Sequence, residues 1–148
     1  MENVVFIRRA QRSQAYIAAR LANKLWDEDP DREEEMAEII ESADSDVLLA
    51  FCGEQAVGFA QVGLRHDYVE GKESDGPVGY LEGVYVEEAF RRGGVARRLV
   101  QAAEYWARER KCAQFASDCE LHNEDSIRFH LGSGFEEAGR IVCFIKNL

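Results

Sequence analysis

The order of sequence patterns between residues 79 and 118 restricts the fold more than any other feature of the chain. GYLEGVYV, residues 79–86, has the composition of a β-strand, and residues 94–110 place apolar side chains on one face of a helix. Residues 114–119 form a further strand pattern. A strand, a crossover helix and a second strand imply parallel pairing within one sheet. The expected fold class is therefore α/β, in the form of an α+β mixed sheet.

The remaining patterns place helices and strands on both sides of this crossover. They predict a strand over residues 4–9, a helix from Ser13, a second helix from Asp29-Pro30, a β-hairpin over residues 46–64, a helix over residues 123–131 and terminal strands over residues 135–146. Residues 65–77 are polar and are expected to form a loop. The predicted order is β-α-α-β-β-β-α-β-α-β, in a single domain of residues 1–148.

Net charge and hydropathy restrict the partners and the location of the protein. The chain has a formal net charge of −10 at pH 7, which disfavours nucleic acid and is compatible with a cationic ligand. Acidity that serves solubility alone is the alternative. No apolar run approaches the ~20 residues that span a bilayer, and the N-terminal MENVVFIRRAQRSQ lacks the apolar core of a signal peptide. We therefore expect no membrane partner and a cytoplasmic location.

The spacing of cysteines and histidines indicates neither a disulfide framework nor a metal site. The cysteines show no CxxC pattern and are expected to be buried free thiols, since three of the four lie in apolar segments. The histidines form no metal-binding motif. These residues are Cys52, Cys112, Cys119, Cys143, His66, His122 and His130.

VEEAFRRGGVARRLV, residues 86–100, concentrates positive charge and glycines where a helix is predicted to begin. The first backbone N–H groups of a helix have no partner within it, and they lie at the positive end of the helix dipole. Glycine lets this backbone approach an anion closely, and arginine side chains add further donors. The stretch therefore predicts a diphosphate-binding site, with a simple turn bearing solvated arginines as the alternative.

The spacing Arg91-x-x-Gly94-x-Ala96 resembles the acyl-CoA pyrophosphate motif of the GCN5-related N-acetyltransferases. AVGFAQV resembles the third strand of that family and GYLEGVYV the fourth, and the N…S…GF pattern of residues 123–135 resembles its last helix and following strand. The resemblance covers nearly the whole chain. It implies the fold of that family, with splayed central strands, and acetyl-CoA as a co-substrate without a metal.

Three longer stretches narrow the resemblance. VGYLEGVYV, ASDCELHNEDSIRFH and GFEEAGRIVCFIK are similar to the aminoglycoside 6′-N-acetyltransferases of bacterial antibiotic resistance. This resemblance implies acetyl transfer to the 6′-amine of a cationic aminoglycoside by a homodimer. One fold hosts many functions, so two other hypotheses stay open. They are an acetyltransferase for a polyamine or a protein N-terminus, and a non-catalytic acyl-CoA-binding sensor.

Glu82 is the first candidate catalytic residue. The acceptor amine must be neutral to attack a thioester, yet an alkyl ammonium has a pKa of about 10, and a carboxylate can accept its proton. Nearby glycines at 79 and 83 predict a β-bulge, and the resemblance implies that the bulge splays the fourth strand from the fifth. The two-residue period of a strand predicts that Glu82, Val84 and Val86 share one face. A surface carboxylate is the alternative.

His130 is the second candidate catalytic residue. It stands four residues before the glycine of the GF pair, where many relatives in the family have a tyrosine. Its imidazole can donate a proton to the leaving thiolate or bond the CoA sulfur. A histidine packed within the helix is the alternative.

The resemblance also implies binding residues for both substrates. For acetyl-CoA they are Val84, Tyr85, Val86, Arg91, Arg92, Gly93, Gly94, Val95, Ala96, Arg97 and Asn123. For the acceptor they are Trp26, Tyr68, Glu82, Asp118 and Glu120. Three alternatives stay open: Asn123 as a helix N-cap, Glu120 as a solvated loop charge and Trp26 as a hydrophobic helix end.

Overall fold

The computed structural model describes residues 4–148, so residues 1–3 of the predicted domain and of the N-terminal stretch lie outside the described residues. The elements are β1 (Val5–Arg9), α1 (Ala15–Leu25), α2 (Arg32–Glu41), β2 (Ser45–Cys52), β3 (Gln55–Arg65), β4 (Val78–Val86), α3 (Val95–Glu109), β5 (Phe115–Ser117) and α4 (Glu124–Gly132). Short 3-10 turns precede α1 and follow β4. No helix in this described part is long and apolar enough to cross a membrane.

The five strands form one sheet in the order β1-β2-β3-β4-β5. Neighbouring strands from β1 to β4 are antiparallel, and β4 and β5 are parallel. The parallel pair is connected through α3, as a crossover requires. The prediction of a mixed sheet with parallel pairing across residues 79–118 is therefore confirmed.

Helices cover both faces of the sheet. On one face, α3 buries Leu99 and Trp106 against strand residues such as Val62. On the other face, α1 and α2 bury Leu21 and Met36 around Phe59. A three-layer arrangement of this kind buries both faces of the sheet and leaves the ends of the strands available for binding. We call these two sides the α3 face and the α1–α2 face.

A β-bulge interrupts the pairing of β3 and β4. Gln61 pairs with Gly83 and Val62 pairs with Leu81, so Glu82 is an extra residue on β4. The parallel pairing of β4 with β5 extends only to Leu81, and within the described chain β4 continues to Val86 without β5. The bulge and the splay of the two central strands, both predicted from the sequence, are confirmed.

The bulge changes which side chains share a face. Val84 and Val86 pack into the core beneath α3. Glu82 contacts Arg65 on the other side of the sheet, and a Cβ atom at Gly83 would overlap the side chain that ends α1. The prediction that Glu82 shares a face with Val84 and Val86 is therefore wrong. The extra residue of the bulge shifts the alternation of side chains by one.

The starts of the first two helices differ from the predictions. Ser13 lies in a 3-10 turn rather than at an N-cap. The backbone N–H of Gln11 donates to the side chain of Gln14, and the backbone N–H of Gln14 donates to the carbonyl of Gln11. Because these bonds close a local turn, α1 starts only at Ala15. The second helix begins at Arg32. The Asp29 carboxylate accepts from the backbone N–H of residue 31, which holds the chain in a turn ahead of that helix.

The C-terminal segment, residues 135–148, is not a strand in the structure, so the predicted terminal strands are wrong for this chain. Its apolar side chains are exposed: Ile141, Val142, Phe144, Ile145 and Leu148. A strand is stabilised only when its backbone pairs with another edge. Within this chain the segment is paired with no described strand.

The cysteines are free thiols, as predicted, but they are not buried as predicted. Cys52 and Cys112 are half-buried, and Cys119 and Cys143 are exposed. Cys119 follows β5, which ends earlier than predicted, and Cys143 lies in the C-terminal segment. The strand burial that the apolar sequence implied is therefore absent at both positions.

Candidate active site

Four side chains form a connected group where β4 bulges on the α1–α2 face. Arg65 at the end of β3 donates from Nη2 to both carboxylate oxygens of Glu82 at 3.0 Å, and from Nε to Oε1 at 3.3 Å. The guanidinium lies over the ring of Tyr80, 3.6 Å from the ring centroid. The Tyr80 hydroxyl donates to Asp118, just beyond β5. We call Arg65, Tyr80, Glu82 and Asp118 the bulge cluster.

The electrostatics of the bulge cluster favour its ion-paired form. Burial raises the pKa of Tyr80, and the hydrogen bond to Asp118 raises it further, so the phenol stays protonated as a donor. Burial lowers the pKa of Arg65, but the hydrogen bond and charge of Glu82 outweigh burial, and the pKa is raised. Two carboxylates and one guanidinium therefore face one another across β3, β4 and the end of β5.

Sequence reasoning identified Glu82 and Asp118 but missed Arg65 and Tyr80. The spacing of Tyr80 and Glu82 by two residues on a predicted strand was a usable signal for a shared face. Arg65 stands 17 residues before Glu82 and was assigned to a polar loop. Only the register of β3 against β4 shows that it reaches the bulge.

Gln61 is a further residue that the sequence did not indicate. It pairs with Gly83 across the bulge. Its side-chain Oε1 is buried and has no hydrogen-bond partner among the described residues. The structure therefore leaves one buried acceptor beside the bulge unmatched within the described chain.

His130 and Ser117 form a second polar group on the α3 face. Nδ1 of His130 lies 2.7 Å from the carbonyl oxygen of Ser126, and because a carbonyl only accepts, Nδ1 carries a proton. Nε2 lies 2.8 Å from the hydroxyl of Ser117. That hydroxyl is also within 3.2 Å of the Leu81 carbonyl, where β4 and β5 part. His130 is thus both packed in the helix, against Phe135, and hydrogen-bonded to the splay.

The start of α3, where the sequence predicts a diphosphate site, is a helix terminus that no described side chain caps. Gly94 is the N-cap with a φ of 82°, Arg92 has a φ of 67°, and no side chain in the described chain caps the helix. A Cβ atom at Gly93 or Gly94 would meet nothing within 4 Å. The first N–H groups of α3, beginning at Val95 and Ala96, therefore have no side-chain cap among the described residues and lie at the positive end of the helix dipole.

Two of the predicted phosphate-binding arginines also bond to the protein backbone. Arg91 Nε donates to the carbonyl of Val86 at 2.8 Å and the guanidinium lies 5.5 Å from the Tyr85 ring centroid. Arg97 donates to the carbonyl of Gly132, at the end of α4. These bonds hold both cations close to the first turn of α3, and each guanidinium keeps further N–H donors.

The other predicted site residues are spread around the splay. Trp26 ends α1, lies against Gly83 and packs edge-on to Phe59 at 5.9 Å. Tyr68 lies in the loop before β4 and is largely exposed, and its hydroxyl donates to Glu70 at 3.2 Å. That hydrogen bond raises the pKa of Tyr68. Trp26 therefore lies beside the bulge, and Tyr68 lies at the protein surface.

Asn123 and Glu120 lie in the connection between β5 and α4. The Asn123 side chain accepts from the backbone N–H of Ser126 at 3.1 Å, so it is the N-cap of α4. Its amide nitrogen keeps two donors. Glu120 is exposed in the loop. No group of three or more His, Cys, Asp or Glu in the described residues could hold a metal ion.

Sequence comparisons find similar known proteins. A family model described as acetyltransferase (GNAT) family matches residues 11–135. The chain is 42% identical to an aminoglycoside N(6')-acetyltransferase type 1 of Serratia marcescens, with 90% of this chain and 92% of that protein covered. It is 40% identical to the Acinetobacter haemolyticus protein of the same name, with 86% and 88% covered.

Solved structures are similar over the full chain. The aminoglycoside N-acetyltransferase AAC(6')-Iy in complex with CoA superposes with a TM-score of 0.94 and 32% identity, covering 100% of this chain and 98% of that chain. The Acinetobacter baumannii 6'-N-acetyltransferase AAC(6')-Ih has a TM-score of 0.91 and 36% identity, covering 98% and 99%.

Proposed function

The chain belongs to the acetyltransferase (GNAT) family, and from this premise we propose that it transfers the acetyl group of acetyl-CoA to the 6′-amine of an aminoglycoside antibiotic. Relatives 37–47% identical carry the name aminoglycoside N(6')-acetyltransferase, which supports the substrate class. The observation that carries the proposal is the position of Glu82 and Asp118. Both carboxylates lie on one face of the sheet at the point where β4 parts from β5.

On the acceptor side, we assign Glu82 to the reacting amine and Asp118 to a neighbouring ammonium group. Arg65 occupies one side of the Glu82 carboxylate, which has about four lone-pair positions, so others are free to accept from an amine. A multiply charged amino sugar is attracted electrostatically by each carboxylate, whereas an amine with a single charge pairs with only one. Glu82 then receives the proton that the amine loses as it attacks. Trp26, Tyr68 and Glu120 are the proposed outer contacts of the acceptor.

The residues at the splay fit acetyl-CoA, which supplies the acetyl thioester. A Cβ atom at Gly93 or Gly94 meets open space, so the start of α3 has room for a diphosphate against its free N–H groups. Residues 84–86 of β4 have a backbone edge that β5 does not use, and this edge suits a chain of amides. Arg91, Arg92 and Arg97 supply positive charge, and the Asn123 amide supplies donors.

We propose that Ser117 and His130 supply the proton that the departing thiolate accepts. The Ser117 hydroxyl lies at the last pair of the parallel ladder, and Nε2 of His130 is 2.8 Å behind it. A protonated imidazole donates to the hydroxyl, which donates onward toward the splay. The pair can therefore hold and pass a proton from the α3 face, on the side opposite Glu82.

An acceptor screen tests the proposed function. Purified enzyme and acetyl-CoA are incubated with kanamycin, with a 6′-hydroxyl analogue, with spermidine or with an N-terminal peptide, and thiol release is followed. We expect release with kanamycin and none with the 6′-hydroxyl analogue. Mass spectrometry locates the acetyl group. Faster turnover of spermidine or peptide would replace the proposed substrate class, and binding of acetyl-CoA without turnover of any amine would favour the sensor.

We also propose that the enzyme is a cytoplasmic homodimer. The support for a dimer is residues 141–148, whose large apolar residues are all at least 74% exposed in the single chain. Exposed apolar surface of this kind favours association, and β5 is an edge strand that can pair with it. Sedimentation equilibrium should give twice the chain mass, and deletion of residues 141–148 should give monomers. A full-length monomer at micromolar concentration would rule out the dimer.

A further inference from the structure

Arg65 lies in contact with the carboxylate that we assign to the reacting amine. Three donor–acceptor contacts of 3.0 to 3.3 Å join it to Glu82. A bound amine on Glu82 therefore has a fixed guanidinium as its neighbour. We propose that Arg65 is a positioning residue that holds Glu82 in place and, by its charge, keeps the acceptor amine in its neutral, reactive form. This inference rests on the proposed function.

Contacts with two residues of β4 hold the guanidinium in place. Arg65 leaves the end of β3, stacks on Tyr80 of β4 at 3.6 Å, and bonds to Glu82 of the bulge. Tyr80 is in turn bonded to Asp118 beyond β5. Stacking and several simultaneous hydrogen bonds suit the rigid plane of arginine, and they restrict where its charge can move. The charge is therefore a permanent part of the site.

The ionisable groups around Glu82 explain why a cation is useful there. Glu82 faces Arg65 from β3, Tyr80 from its own strand and Asp118 from the end of β5. From α1, the side chains that approach the neighbouring Gly83 are the uncharged Leu25 and Trp26. Two carboxylates alone would stabilise an ammonium ion, which cannot attack a thioester.

A cation placed beside the amine has the opposite effect. A nearby like charge disfavours the charged form of an amine, whereas the carboxylates favour it. Arg65 thus lets the site attract a cationic substrate through its carboxylates while it eases loss of the proton from the one amine that reacts. Position and charge are separable, because lysine keeps the charge and methionine keeps only the length of the side chain.

The test is the pH dependence of acetyl transfer in single-turnover reactions with saturating kanamycin, between pH 6 and pH 9.5. Wild type is compared with Arg65→Met, Arg65→Lys and Arg12→Met. Arg12 is a matched control, since it is an exposed arginine paired with Glu41 away from the bulge. Thermal melting of each variant checks that it is folded.

We expect the acidic limb of the Arg65→Met profile to move to higher pH by about one unit, a typical effect of one nearby charge. The rate would then be about tenfold lower at pH 7 and close to that of wild type at pH 9.5. Arg65→Lys should keep the wild-type limb, and so should Arg12→Met. A limb that stays in place in Arg65→Met, with or without an equal loss of rate at every pH, would overturn the proposal.

The failure of this proposal is distinguishable from failure of the proposed function. If wild type transfers no acetyl group to kanamycin, the substrate assignment is wrong, and the assignment of Arg65 falls with it. If wild type is active and the Arg65→Met profile does not move, only the role of Arg65 is wrong.

Discussion

The two faces of the sheet carry different chemistry at the point where β4 leaves β5. On the α1–α2 face, the bulge cluster brings together two carboxylates and a guanidinium that are partly exposed to water. On the α3 face, Ser117 and His130 form a chain of hydrogen bonds beside the ring of Phe135. The polar groups on the α1–α2 face suit a cationic acceptor, and those on the α3 face suit the transfer of a single proton.

A single extra residue accounts for this separation. Without the bulge, Glu82 would alternate regularly with Val84 and Val86 and would face the same core. With it, Glu82 points to the α1–α2 face and the two valines remain beneath α3. A local irregularity of one strand thus places neighbouring side chains of one short stretch on opposite faces of the sheet.

The variant with the largest expected effect removes the charge of Glu82 from the α1–α2 face. Glu82→Gln keeps the size of the side chain and should lower kcat with kanamycin by about 10²–10⁴-fold, the usual contribution of general base catalysis. The affinity for acetyl-CoA, measured by calorimetry, should be unchanged. Glu34→Gln, on exposed α2, is the control. A higher acceptor KM with normal kcat would make Glu82 a binding residue.

A negative charge at the start of α3 should weaken the binding of acetyl-CoA. Gly94→Asp and Gly94→Asn both tolerate the left-handed backbone at this position, and they differ in charge alone. Because charge-assisted hydrogen bonds are worth about 1.5–3 kcal/mol, Asp should weaken acetyl-CoA binding by roughly 10- to 100-fold relative to Asn. Equal affinities of the two variants for acetyl-CoA would remove the diphosphate from this helix terminus.

Loss of the hydroxyl on the α3 face should have a smaller effect. The leaving thiol has a pKa of about 8.5 by analogy with cysteine, so a thiolate can depart without complete protonation. Ser117→Ala should therefore lower the single-turnover rate by only about tenfold. Ser13→Ala is the control, since Ser13 is exposed in the 3-10 turn before α1. A loss as large as that of Glu82→Gln would contradict this ranking of the two faces.

The smallest expected effect comes from the second carboxylate of the bulge cluster. Asp118→Asn can still accept from Tyr80, so the geometry should persist while one charge is lost. The acceptor KM should rise several-fold with little change in kcat, as for a partly exposed ion pair. Asp125→Asn, on the exposed start of α4, serves as the comparison. A change in kcat that exceeds the change in KM would give Asp118 a role in the chemical step.

Local patterns in the sequence were sufficient for most of the fold. The apolar period over residues 94–110 located α3 to within a residue at each end, because a long amphipathic face buries only as a helix. The start of α1 was misplaced at Ser13, since Gln11 and Gln14 form a competing local turn. The sequence of the C-terminal segment predicts a strand, but within one chain the segment pairs with no described strand of the sheet.

The sequence by itself determined the mixed sheet, the glycine-rich start of α3 and the Glu82 carboxylate beside a bulge, because each follows from patterns of neighbouring residues along the chain. The tertiary structure alone decided that Arg65 reaches Glu82, that Ser117 meets His130, and which face each pair occupies. These contacts depend on strand register and on helix packing. A shift of one residue in the strand register would move every strand partner to the other face of the sheet.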